Sequence, residues 1–181
     1  MLQRIHAGVF QKAKWMAPDT VLFQVRSDYL GALQWLHDSA LRDWSQQYSQ
    51  ASQYLSGTFL KRYQRLLKQN ASSRGPHCIG ILRADHQVEV RYFSEDGERC
   101  LVIDSQTQRR MATYDRDSRA RLHTQDLGSC TMVYQMVYDT RARRWKVDSF
   151  IQELPLGWGN PKLVRHIKVQ AELPAPAGRD N

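Results

Sequence analysis

The feature that most constrains this chain is a change of hydrophobic period near its middle. Before residue 70 the apolar residues recur every three or four positions, and after residue 76 they alternate every second position. These are the repeats of a helix and of a strand. Between them lies Asn70-Ala71-Ser72-Ser73-Arg74-Gly75-Pro76, a run of residues that break regular structure. A chain that is helical first and stranded second must pack one half against the other. The expected class is therefore α+β, with N-terminal helices on one face of an antiparallel sheet.

Within the helical half, Leu2, Ile5, Val9, Ala13 and Met16 mark a short basic amphipathic helix that Pro18 ends. Asp19 or Thr20 can cap the next helix, whose stripe is Leu22, Val25, Tyr29, Leu33, Leu36 and Ala40. The pattern bends around residues 41–44. It resumes with Tyr48, Ala51, Tyr54 and Leu55, stops at Gly57, and closes with Phe59, Leu60, Tyr63, Leu66 and Leu67.

In the stranded half, Val88, Val90 and Tyr92 alternate with Glu89 and Arg91, and the turn 94–97 leads to a partner strand at 100–104. Residues 109–114 and 119–124 read as a second hairpin. Residues 131–139 and 145–154 read as a third, across the basic turn 140–144, which brings the count to about six strands. Alternation places Trp145 and Val147 inside and Lys146 and Asp148 outside. Residues 1–18 then form an N-terminal helix, 19–156 the cone-shaped domain, and 157–181 an extension. In that extension 162–173 is an edge-strand candidate, and the Pro-rich end reads as disordered.

Composition narrows the function classes. Apolar runs such as 20–23 and 100–103 fall far short of the ~20 residues that cross a bilayer, and no N-terminal stretch has the pattern of a secretory signal. The expected setting is cytoplasmic, with any membrane contact peripheral. Three cysteines without a Cys-x-x-Cys pair read as small buried side chains. His77, Cys78 and His86 fit no common zinc spacing, so neither a metal nor a cofactor is expected. The net charge of +8 keeps nucleic acid and anionic membrane surfaces among the conceivable partners.

At two places the residues resemble a known family. Ala40-Leu41-Arg42-Asp43-Trp44, through Tyr54-Leu55-Ser56-Gly57-Thr58-Phe59-Leu60, is similar to the helical part of nuclear transport factor 2-like (SnoaL-like, ketosteroid-isomerase-like) domains. Thr131-Met132-Val133-Tyr134-Gln135-Met136-Val137-Tyr138 and Arg144-Trp145-Lys146-Val147-Asp148-Ser149 resemble their closing strand pair. The resemblance spans 19–153. It leans toward the non-enzymatic branch that holds the membrane-recruiting domain of the mitochondrial import motor and a related domain of the chloroplast division apparatus. It implies an α+β open cone, N-terminal helices packed in a curved antiparallel sheet, used for binding or assembly.

Enzymes of that superfamily carry an acid or base inside the cone. The candidates here are Asp104, His123, Tyr134 and Asp148, each equally readable as an exposed or hydrogen-bonded strand residue. Met132, Tyr134, Met136 and Tyr138 lie on one side of their strand and Val133 and Val137 on the other. One side must face something besides the helices, so the Met–Tyr side, with Trp44 and Tyr54, is the expected contact for a protein partner, a second copy or a small hydrophobic ligand. Arg109, Arg110, Arg141, Arg143 and Arg144 are the anion-binding candidates, with solvated turns as the plainer account. Three readings follow: a non-catalytic binding or assembly module; a small cofactor-independent isomerase- or dehydratase-like enzyme acting on a hydrophobic substrate; and a basic protein associated with nucleic acid.

Overall fold

The computed structural model describes residues 17–40, 42–72 and 75–158. The expected helix at 1–16 and edge strand at 162–173 lie outside them. Helix α1 (Asp19–Ser39) carries Val25, Tyr29, Ala32, Trp35 and Ser39 as its buried stripe. Its N-cap position is Pro18, one residue before the expected cap, with Asp19 in the first turn, where a negative charge suits the helix dipole. After the expected bend, Asp43 caps α2 (Trp44–Gln50) by accepting the Ser45 N–H at 3.0 Å, and a 3₁₀ turn (Ala51–Gln53) follows. Helix α3 (Gly57–Ser72) completes the helical layer.

Strands β1 (His77–Arg91), β2 (Arg99–Asp115), β3 (Arg121–Asp139) and β4 (Arg144–Leu154) form one antiparallel sheet in sequence order. The three helices pack against this curled sheet, which closes as a half-barrel, so the α+β cone is the observed fold. The strand count differs from expectation. Residues 100–104 and 109–114 belong to one strand, as do 121–124 and 131–139, because β2 and β3 form a single long hairpin. Its register shifts between Gln106 and Arg110, where Gln108 and Gly128 adopt positive φ. A bulge interrupts alternation without ending the strand, and in the sequence that looks like a boundary.

The core lies between α1 and the concave face. Val25, Tyr29, Ala32, Trp35 and Leu55 meet Val90, Cys100, Val102, Met136, Trp145 and Val147. Trp145 and Val147 point inward as expected, 3% and 2% exposed. Lys146 does not point to solvent; its Nζ donates to the Ser52 carbonyl and to Asp139 Oδ2, both at 2.6 Å, and the residue is buried. That bond holds the Asp139 carboxyl down to about 2, since it favours the ionised form.

Leu55 adds a one-residue parallel bridge to the free side of β4: the Val147 N–H donates to the Tyr54 carbonyl at 3.0 Å and the Ser56 N–H to the Val147 carbonyl at 2.9 Å. Part of an edge strand is covered in this way. The β4 register shifts just after Val147, so Asp148 bulges toward the start of α3. There it accepts the Ser56 hydroxyl on Oδ1 at 3.2 Å, and its carbonyl accepts the Thr58 hydroxyl at 3.4 Å.

Gly57 sits over this carboxyl with φ +48°, and a Cβ there would collide with the Asp148 carboxylate. Gly57→Ala should therefore cost about 1–3 kcal/mol from the left-handed backbone alone, and more from the collision. In Gly57→Ala/Asp148→Ala the collision part should vanish. Denaturant titration of the two single variants and the double variant checks this; strictly additive losses would exclude the contact.

Candidate functional site

Strand pairing builds the centre of the concave face. Cys100, Val102, Asp104 and Gln106 take successive same-side positions on β2 and are all buried. On β1, Val88 stands opposite Asp104 and His86 opposite Gln106; on β3, Met132 stands opposite Asp104 and Tyr134 opposite Val102. Above them Tyr29 descends from α1, in the same stripe as Val25 and Ala32.

Three side chains converge on one oxygen. Asp104 Oδ2 accepts the Tyr29 hydroxyl at 2.8 Å and the Gln106 amide at 2.7 Å, and lies 2.9 Å from His86 Nδ1. Asp104 has no solvent exposure, and its Oδ1 is buried without a hydrogen-bond partner. A carboxyl taken out of water is costly, and three donors on Oδ2 offset part of that cost. Burial, then the neighbouring Asp104 charge, pushes the Tyr29 hydroxyl up, and the same causes push Tyr134 up to about 12. Both phenols are therefore donors at neutral pH.

With Nδ1 on Asp104, Nε2 is the remaining polar atom of the His86 ring, and it makes no hydrogen bond among the described residues. His86 also lines a rim cavity of about 570 Å³ between α1 and the β1–β2 pair, together with Leu30, Leu33, His37, Arg83 and Arg110. The His37 and His86 ring centroids are 6.5 Å apart. Burial, and after it the approach of His86, lowers the pKa of His37.

Of the four acid–base candidates, Asp104 and Tyr134 share the concave face. His123 is exposed near the far end of β3, and Asp148 is hydrogen-bonded to Ser56 and Thr58 at the start of α3, so neither enters the cone. The Met–Tyr side of β3 is the helix-facing side. Met136 is fully buried, Tyr134 and Tyr138 pack against the core, and the Tyr134 hydroxyl donates to Met132 Sδ at 3.1 Å. The expected contact stripe is thus mostly interior, because the register sets Tyr134 opposite Val102 and Met136 opposite Cys100. Trp44 is exposed, while Tyr54 stacks on Trp35 with centroids 5.0 Å apart.

Among the arginines, Arg141 and Arg143 are exposed on the β3–β4 turn. Arg144 lies over the Tyr54 ring at 4.6 Å and 3.7 Å from Asp28. Arg109 is half-buried with an unpartnered Nε, and Arg110 lines the rim cavity. Cys100 and Cys130 are buried and Cys78 half-buried, all as free thiols. No group of three or more His, Cys, Asp or Glu side chains among the described residues could hold a metal ion. No helix among them is long and apolar enough to cross a membrane.

No family model matches the chain, and no curated protein matches its sequence. A solved structure does match its shape. The fold is similar to that of the intermembrane space region of chloroplast protein ARC6. The TM-score is 0.51 at 16% identity, covering 76% of this chain and 96% of that one. At that identity the likeness concerns the arrangement of helices and sheet. It spans nearly the whole of the ARC6 region.

Proposed function

We infer that this chain is a non-catalytic binding module whose contacts lie on the rim and outer surface of the cone. The observation that carries this is the filled interior. Tyr29, Trp35, Leu55, Met136 and Trp145 occupy the concave face, and Asp104 has no exposure through which a substrate could reach it. The sequence resemblance to the non-enzymatic branch points the same way, and the likeness to the ARC6 region concerns the fold on which that reading is built. A protein partner or a second copy would meet the free end of β4, where Phe150 and Ile151 are exposed, with Leu156 and Trp158 just beyond. Xenon-pressurised crystals of the full chain test the filled cone: no xenon is expected beside Asp104 or Tyr134. An ordered xenon site there would remove this reading, because empty apolar cavities take up such probes.

One observation favours the enzyme reading instead. His86 joins the buried Asp104 to the rim cavity, the arrangement of an oriented general base. Such a base would exchange the α-protons of a hydrophobic ketone with deuterated solvent, and His86→Gln would abolish the exchange. The binding-module reading expects no exchange above the buffer rate.

A further inference from the structure

Beyond the rim cavity the concave face continues along the far half of the β1–β2–β3 sheet, and its charge is unusual. A second cavity of about 190 Å³ shares Arg83 and Arg110 with the first and adds Arg121 and Tyr114. Arg83 and Arg110 are direct cross-strand partners, and Arg121 is paired with Tyr114. Like charges placed directly opposite one another on a sheet oppose pairing. None of the three arginines makes an ion pair or side-chain hydrogen bond among the described residues. Asp38 and Asp85 line the larger cavity and Asp126 stands opposite Arg110, but none comes within ion-pair distance of these arginines. Asp38 instead accepts the Gln34 amide at 2.9 Å.

The same space has an apolar wall. Leu30 and Leu33 line it from α1, and Leu30 is exposed. A cavity of about 570 Å³ falls within the range of small-molecule sites, roughly 300–1,000 Å³. An apolar wall facing unpaired guanidinium groups matches a ligand with both characters. Planar guanidinium forks suit the paired oxygens of a carboxylate or phosphate.

We propose that the joined rim cavities bind an oxyanion, carboxylate or phosphate, carried on an apolar chain, with Arg83 and Arg110 on the charged head and Leu30 and Leu33 along the tail. This rests on the binding-module reading and gives its rim site a ligand class. The head would offset the Arg83–Arg110 repulsion, so the site trades some sheet stability for affinity. The +8 net charge would draw such ligands in.

The test is calorimetric titration of the full chain, below micellar concentrations, with dodecanoate, dodecyl phosphate and uncharged dodecanol. Saturable one-to-one binding is expected for at least one of the two anions, and their ranking separates a carboxylate from a phosphate source. Binding should weaken at least about tenfold for dodecanol, and at least about tenfold in Arg83→Gln/Arg110→Gln. Arg141→Gln/Arg143→Gln, on the distant turn, should bind as the parent does. Because the arginine pair repels, Arg110→Gln alone should melt no lower than the parent, which guards against loss through misfolding. No binding of either anion, or equal binding by the rim-arginine variant, would overturn the proposal. Either result leaves the filled cone to be judged separately by xenon.

Discussion

Trp145→Ala is expected to destabilise the chain by about 3–5 kcal/mol, the usual cost of truncating a buried aromatic side chain. Trp145 is 3% exposed and stands second in β4. Its ring meets Phe93 edge-on with centroids 6.0 Å apart and Tyr138, its cross-strand partner, at 5.5 Å. Its backbone N–H donates to Asp28 Oδ2 at 2.8 Å, so the residue also ties β4 to α1. That backbone bond survives truncation; the loss is therefore one of packing, and Trp145→Phe should recover part of it. Denaturant unfolding should show a lower midpoint with an unchanged slope. A loss under about 1 kcal/mol would mean that the neighbouring rings close the space left by the indole.

The split into helices and sheet was legible because each half keeps its own period over many residues. The helix boundaries near Pro18, Asp43 and Gly57 were legible because these residues punctuate the backbone for local reasons. The continuity of β2 and β3 was hidden by the bulge at Gln108 and Gly128, where the alternation slips by one position. Alternation sets Lys146 outside, because it tells a side chain's direction but not whether a carbonyl and a carboxylate wait beside it.

The candidate site was half-visible. Asp104 and Tyr134 stood out as polar residues in apolar strands. His86 fits no common zinc spacing in the sequence, yet it shares the face of Val88 and Val90, which marks an inward-pointing histidine. Tyr29 was visible only as one member of a helix stripe. That Tyr29, His86 and Gln106 meet on one carboxylate oxygen depends on the β1–β2 register and on the height of α1 above the sheet, and no local pattern encodes either. The arginine pairing at the rim depends on the same register.

That convergence sets the second large effect, in Asp104→Ala. Removing the carboxyl leaves the Tyr29 hydroxyl, the Gln106 amide and the His86 ring without their shared acceptor, in a place where Asp104 itself has no exposure. Each buried donor left unsatisfied costs roughly 1–3 kcal/mol, and relaxation recovers part of the total, so a loss of about 3–5 kcal/mol is expected. Asp104→Asn should cost less. Its carbonyl can stand where Oδ2 accepts the three donors, and its amide can take the place of Oδ1, which has no partner to lose. Tyr29→Phe removes one donor to the carboxyl and should cost about 1.5–3 kcal/mol. Because the two groups share a bond, Tyr29→Phe should cost much less in the Asp104→Ala background, with a coupling of at least about 1 kcal/mol in the double-mutant cycle. Additive losses, or Asp104→Ala within about 1 kcal/mol of the parent, would show that the carboxyl is not held by this network. A tolerated Asp104→Ala would also return Asp104 to the pool of residues free for chemistry, and with it the enzyme reading would gain on the binding module.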